Sequence, residues 1–395
     1  MSRRYVYTKK RYVLLFFIVD FFGFLFYRIF SFFKKLAIEA AVKRIVVVEL
    51  AHLGDVLAIT PALHLLRKKF PQSAITVIVS PWTKEAIAGN PDVDEVLVYR
   101  ASWFDRETKR PFSFRETKAF IKIIRAKAFD LGIDLRGDAR TILLMWFGGI
   151  KKRIGYVYAG AGFLLTDIIP FDVNLRQEKH QIAHNMAFIE AIGPRESINS
   201  DLRMRIFFSE EDRQYINTFL RSNGITESDF LLVVHPGSGL ASKCWPIERF
   251  AELLGRITCA YPVKIVVVGG AQEKELSLKL RVLTKAVFVD ATGKTTVKQL
   301  AALMSSCRLF IGSDSGVMHI ACASGVPVVA IWGGHNKPAH WGPLVEQATV
   351  IHKEIECSPC GLATCGHLSC LKNITVDEVA QEAFKHIARD KQMRP

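Results

Sequence analysis

The chain lacks several of the signatures that assign a nucleotide-binding or secreted protein at sight. No glycine-rich loop is followed by Lys and then Ser or Thr, which excludes a Walker phosphate loop, and no G-x-G-x-x-G dinucleotide fingerprint occurs. No short-period repeat is present, so solenoids and propellers are excluded. No small-x-small cleavage site follows the apolar N-terminal region, which argues against a cleaved leader. Acidic residues are scarce, 38 Asp and Glu against 53 Lys and Arg, giving a net charge of +15 over 395 residues. That imbalance resembles a nucleic-acid signal until it is located. Residues 1–44 hold ten of the cations and only two acids, Asp20 and Glu39, so more than half the excess sits in about a ninth of the chain. Nucleic acid is therefore not an expected partner.

What accompanies those N-terminal cations is a Phe-rich run. Residues 12–33 are long enough to span a bilayer core, but Asp20 and Arg28 interrupt them, and each is expensive at mid-membrane. The expected state is an aromatic helix anchored on a cytoplasm-facing membrane surface, its basic flanks held by anionic lipids. A full span and a buried core helix are the alternatives. Residues 1–40 are read as this membrane-associating segment.

From Lys43 onward, short apolar runs alternate with amphipathic stretches. KRIVVVEL (43–50), AITVIVS (74–80), DEVLVYR (94–100) and DLGIDLRG (130–137) read as strands. One helix is expected from Gly54 to Phe70 and another over 113–127. The alternation pauses between about 171 and 225 and restarts with FLLVVHPGSG (230–239), KIVVVGG (264–270), AVFVDATG and RLFIGSDSGVMHIACASGVPVVAIWGG (308–334). A last helix near 376–390 carries a capping box, Thr375 with Glu378. Two doubly wound α/β domains are expected, 41–205 and 225–395, with a cleft between them.

In such sheets ligands bind beyond the carboxyl ends of the strands, and three loops there are chemically loaded. AHLGDV (51–56) offers Gly54 and Asp55, either as a helix cap or as a carboxylate able to take a proton from a hydroxyl. Glu49 and His52 compete for that role, although Glu49 falls in the strand run. HPGSGLASKCWP (235–246) offers Gly237, Ser238 and Lys243. After VVVGG, Glu273 could accept from a ribose hydroxyl, with Glu275 as the alternative. The run from Ser313 places Asp314, Ser315, Gly316 and His319 at a helix N-terminus, where unpartnered N–H groups and the macrodipole favour an anion. The same residues could simply cap the helix, with Asp314 as the cap.

Eight cysteines divide into a scattered set, Cys244, Cys259, Cys307 and Cys322, and a cluster, Cys357, Cys360, Cys365 and Cys370, with His367 among them. The scattered set suits reduced thiols in a cytoplasmic protein. The C-x2-C opening of the cluster suits zinc or iron–sulfur, but the four-residue gaps that follow do not match a zinc ribbon. Local disulfides and free thiols stay open beside it, and no metal site is assigned.

The segments VVVELAHLGDVLAITPALHLLRKKFP, DLRG, KRIGY, HPGSGLASKCWP and FIGSDSGVMHIACASGVPVVAIWG together resemble glycosyltransferase family 9, the heptosyltransferase-like enzymes of lipopolysaccharide core assembly. The resemblance covers nearly all of residues 43–385 and leaves residues 1–40 as an extension. It implies a GT-B fold and an inverting, metal-independent transfer of a sugar from a nucleotide donor. The donor is typically ADP-heptose, a cosubstrate rather than a bound cofactor, and the acceptor an inner-core sugar on lipid A. By the same resemblance Asp55 matches the family's general base, and Lys243, Asp314, Ser315, Gly316 and His319 match its donor diphosphate contacts. Gly54, Arg136 and Arg153 are candidate contacts to an acidic acceptor, and Lys151 and Lys152 read as a solvated run. The implied location is the cytoplasmic face of the inner membrane. The competing readings are a GT-B enzyme with another nucleotide sugar or acceptor, an epimerase sharing the fold, and a non-catalytic membrane-bound sugar-nucleotide-binding protein.

Overall fold

The computed structural model describes residues 18–25, 42–105, 110–170, 177–192 and 202–393. The chain forms two compact units, Met1–Asp201 and Leu202–Pro395.

The first unit is built on six parallel strands: β1 (Arg44–Val48), β2 (Ala74–Val79), β3 (Glu95–Val98), β4 (Leu131–Asp134), β5 (Lys152–Gly155) and β6 (Asp167–Ile168). Their order across the sheet is β3-β2-β1-β4-β5-β6. β1 is central, with Ile45 opposite Ile75 on one side and Leu131 on the other. A strand buried on both faces needs an unbroken apolar run, and Ile45 to Val48 supply it. Between β1 and β2 the expected single helix is two, Leu53–Ala58 and Thr60–Lys69. Pro61 has no N–H to continue the first helix but fits the opening turn of a second, so the chain breaks at Ile59.

The second unit repeats the plan with β7 (Phe230–His235), β8 (Val263–Val267), β9 (Val289–Asp290), β10 (Leu309–Ser313), β11 (Val328–Trp332) and β12 (Ala348–His352), in the order β12-β11-β10-β7-β8-β9. Its core gathers Val234, Trp245, Phe250, Ile311 and Ile331, closed by the final helix Val376–Met393. The expected capping box starts that helix: Thr375 N donates to Glu378 Oε2 at 2.9 Å, and Glu378 N to Thr375 Oγ1 at 3.3 Å. Strand order reverses between β1 and β4 and again between β7 and β10. These are the two places where a doubly wound sheet opens a crevice at its carboxyl edge.

Residues 18–25 are helical and dock on the first unit. Ala161 N donates to the buried Asp20 Oδ1 at 2.8 Å. Gly23 lies so near Phe163 that a Cβ there would stand 2.4 Å from the ring. The rest of the expected 12–33 helix lies outside the described residues. No helix among the described residues is long and apolar enough to cross a membrane.

Candidate active site

At the first reversal point, the chain leaves β1 through Glu49 and enters the helix Leu53–Ala58. Asp55 is the third residue of that helix rather than its cap, and its Oδ2 accepts from His52 N at 3.1 Å. Its Oδ1 accepts from Arg136 Nη1 at 2.6 Å. Arg136 arrives from the loop after β4, and its guanidinium lies 5.0 Å from the centre of the Phe104 ring. Gly54 is buried inside the short helix. Two further carboxyls sit below this pair. Glu49, just beyond the strand in which it was expected, accepts from Ala51 N at 3.0 Å. Asp134 closes β4 and accepts from Thr141 Oγ1 at 2.9 Å.

Burial dominates both of these acids. It pushes Glu49 up to about 8, helped by the nearby Asp55 charge and opposed by Arg136 and the Ala51 N–H. It pushes Asp134 up to about 7 against hydrogen bonds from Arg136 N and Thr141. Burial works to lower the Arg136 guanidinium, but Asp55 and Glu49 outweigh it and hold the group above its ordinary value. Arg136 is therefore a permanent cation, and its charge-assisted bond falls on Asp55.

Arg153 does not join this group as an open contact. It is buried, with Nε donating to Leu164 O at 2.6 Å and Nη1 donating to the Ile150 and Lys151 carbonyls. Its guanidinium braces the chain around β5. An acceptor could meet it only by stripping those carbonyls of their donor.

At the second reversal point, the loops after β7, β8 and β10 meet. Lys243 Nζ lies 2.7 Å from Asp314 Oδ2, and Ser238 Oγ donates to Asp314 O at 2.9 Å. Ser315, not Asp314, caps the helix Gly316–Ala323: its Oγ accepts from Met318 N. His319 is buried in the first turns of that helix and packs edge-on against Trp341, ring centres 5.7 Å apart. The N–H groups opening the helix, the Lys243 ammonium and the Ser315 hydroxyl stand together as a candidate anion cradle.

Sequence reasoning singled out Glu273 but missed what holds it. His235 is the last residue of β7 and is buried. Its Nε2 lies 3.1 and 3.2 Å from the two Glu273 oxygens, and its Nδ1 lies 3.0 Å from Ser315 Oγ. Gly270 N also donates to Glu273 Oε2 at 2.7 Å. Burial would raise Glu273, but the hydrogen bond and charge of His235 prevail and hold its carboxyl below the ordinary value. A carboxylate only accepts, so Nε2 carries a proton. Gly237 must be glycine here, because a Cβ would stand 1.7 Å from Glu273 Oε1. Glu275 is exposed on the following helix. The signal for His235 was its place at the strand end of HPGSG. Phe104 and Asp134 carried no such signal.

Elsewhere, a cavity of about 460 Å³ opens where β7 and β10 begin, the edge opposite the anion cradle. Arg308, on its wall, is already held by Asp390 and the Asp229 and Glu227 carbonyls. All eight cysteines are free thiols, and among the described residues no group of three or more His, Cys, Asp or Glu could hold a metal ion.

Comparison with known proteins places this geometry. The model of glycosyltransferase family 9 (heptosyltransferase) matches residues 117–369. The lipopolysaccharide core heptosyltransferase OpsX of Haemophilus influenzae is 24% identical over 75% of this chain and 80% of its own length. The solved structure of a family 9 glycosyl transferase from Veillonella parvula is 29% identical. It superposes with a TM-score of 0.78, covering 89% of this chain and 99% of that one. The structure of E. coli ADP-heptose lps heptosyltransferase II, 21% identical, shares the fold with a TM-score of 0.71 over 88% of this chain and 99% of that one. The two reversed parallel sheets are those of these relatives, and the chain belongs to glycosyltransferase family 9 and is a glycosyltransferase.

Proposed function

We propose that the enzyme transfers a heptose from ADP-heptose, with inversion, to the inner core of lipopolysaccharide or a related glycolipid at the cytoplasmic membrane surface. The observation that carries the donor half is the convergence of Lys243, Ser315 and a helix N-terminus at the carboxyl edge of β7 and β10. A diphosphate needs that combination of one cation and several fixed donors. Glu273, oriented by His235 and Gly270, is the acceptor suited to a ribose hydroxyl. Gly237 and Ser238 let the loop after β7 approach the diphosphate. Gly316 and His319 shape the helix start beneath it. Two of the relatives compared above are named as heptosyltransferases of lipopolysaccharide, OpsX of its core and the E. coli enzyme with ADP-heptose, which points to the sugar and the acceptor.

The chemistry has two parts, a base and a receiver for the leaving charge. Asp55 takes the proton from the acceptor hydroxyl as that oxygen bonds to the anomeric carbon. The bond from that carbon to the diphosphate oxygen breaks, and its electron pair leaves with ADP. Lys243 and the helix N–H groups receive the charge that develops there. Arg136 holds Asp55 in place and is the cation nearest an acceptor phosphate or carboxylate, so acceptor binding competes with Asp55 for the guanidinium. A positioned base contributes about 10²–10⁴-fold.

The test is Asp55→Asn with a panel of ADP-, UDP- and GDP-sugars on intact and delipidated acceptors. Turnover should fall about 10²–10⁴-fold while ADP affinity by calorimetry stays within twofold of wild type, roughly the span expected of a remote change. Near-wild-type transfer by the variant would remove Asp55 from the mechanism. Transfer only from a UDP- or GDP-sugar would refute the donor.

A further inference from the structure

Exposed large apolar side chains are not spread evenly over the helices of the first unit. With right-handed crossovers, the connections β3 to β4, β4 to β5 and β5 to β6 run one way across the sheet and pack on one face. The connections β1 to β2 and β2 to β3 run the other way and pack on the opposite face. Buried side chains of Phe114–Lys127, Ala139–Phe147 and Gly162–Leu164 accordingly join one cluster with Val46 and Val48. On this face Phe114 is 83% exposed, and Trp146 and Phe147 are each 43% exposed. The docked helical residues 18–25 add Phe21 and Phe22, 59% and 51% exposed. The opposite-face helices Thr60–Lys69 and Lys84–Ile87 expose no large apolar side chain.

The charge on the same face is predominantly positive. Phe114–Lys127 carries Arg115, Lys118, Lys122, Arg125 and Lys127 against the single acid Glu116. Arg115, Lys118, Lys122 and Arg125 are exposed, and Arg125 Nε reaches across to Phe147 O at 2.7 Å, joining the two helices. Aromatic rings continue from this face to the catalytic loop. Phe114 lies 4.8 Å from Phe112, Phe112 lies 6.5 Å from Trp103, and Trp103 lies 6.2 Å from Phe104, beneath Arg136.

We infer that this face of the first unit rests on an anionic bilayer. Phe21, Phe22, Phe114, Trp146 and Phe147 enter the interface, and Arg115, Lys118 and Lys122 lie over the headgroups. Aromatic rings with a cationic rim match the interfacial zone of an anionic membrane. A second copy of the same face would set cations against cations, which disfavours self-pairing. The aromatic series then leads a lipid-linked acceptor from the bilayer to Asp55. The inference rests on the lipid-linked acceptor proposed above, but vesicle binding is read without turnover, so the two can fail separately.

The experiment is flotation of the full chain with vesicles of phosphatidylcholine alone or mixed with phosphatidylglycerol. Phe114→Ser/Trp146→Ser/Phe147→Ser should weaken binding about tenfold or more, from the apolar area withdrawn from the interface. Arg115→Glu/Lys118→Glu/Lys122→Glu should weaken binding by about a hundredfold or more, on the anionic vesicles only and reversibly with salt. Both variants should keep wild-type ADP affinity and wild-type turnover on delipidated acceptor, which also shows that they fold. Wild-type vesicle binding by both variants would overturn the inference. So would a wild-type dimer that the serine variant dissociates without loss of lipid binding. Normal lipid results with no transfer to any acceptor would sink the functional reading and leave the membrane face standing.

Discussion

The Lys243–Asp314 pair makes a prediction whose two readouts move in opposite directions. The side chains are 15% and 6% exposed and meet at 2.7 Å. Unit charges about 4 Å apart at an effective dielectric of about 20 attract by roughly 4 kcal/mol, most of it offset by desolvation. Removing one partner leaves the other buried without its counter-charge, which costs about 3–5 kcal/mol. Lys243→Met and Asp314→Asn should therefore each lower the thermal midpoint of the second unit by roughly 6–20 °C, at about 2–4 °C per kcal/mol for a unit of this size. The double variant should lose clearly less than the two singles added together. ADP affinity separates the partners. Lys243→Met should lose it about tenfold or more, whereas Asp314→Asn frees the ammonium and should hold or raise it. The assays are scanning calorimetry of the unliganded variants and titration with ADP. Small, strictly additive midpoint shifts would show that the pair does not join the loops. Equal ADP losses in both variants would refute the assignment of Lys243 as the diphosphate cation.

Other outcomes follow from the same geometry. Glu49 is raised to about 8 in the folded protein from an ordinary 4.5, so the native state binds its proton more tightly than the unfolded chain does. Its contribution is fully present below about pH 4.5 and is lost as pH rises to about 8, with a slope of up to about 1.4 kcal/mol per pH unit. Glu49→Gln should remove that slope, and urea titrations across this window should find the variant gaining on wild type as pH rises. Gly237→Ala should push Glu273 off its partners and weaken ADP-sugar binding about tenfold or more, with little change in the first unit's melting. Arg153→Ala should cost the first unit about 2–4 kcal/mol through orphaned carbonyls, while turnover at low temperature stays near wild type. A turnover loss without destabilisation would instead return Arg153 to the acceptor site.

Most of the fold is legible in the sequence wherever burial demands a continuous apolar run. β1, β2, β7, β10 and β11 are such runs, and each was expected within a residue or two. β5 and β6 are short, β12 is an edge strand only partly buried, and Lys152-Arg153-Ile154-Gly155 has no apolar run to betray it. The candidate site residues were legible because strand-end loops rich in glycine, hydroxyls and acids stand out. Their partnerships were not. Arg136 meets Asp55 across 81 residues and His235 meets Glu273 across 38, distances that only the strand order closes. The capping role passed from Asp314 to Ser315 because the carboxylate turns to Lys243 instead.

Asp20 bears on where the Phe-rich N-terminal stretch rests. An acid within a Phe-rich segment opposes insertion across a bilayer by about 2.5–3.5 kcal/mol on translocon scales. Docked on the first unit, it is buried and gains the Ala161 N–H. The folded globule and the lipid interior thus compete for one short stretch, and a single carboxylate biases the outcome towards the globule. Replacing it with Leu would remove both the penalty and the tether, shifting that stretch from the globule towards the lipid interface.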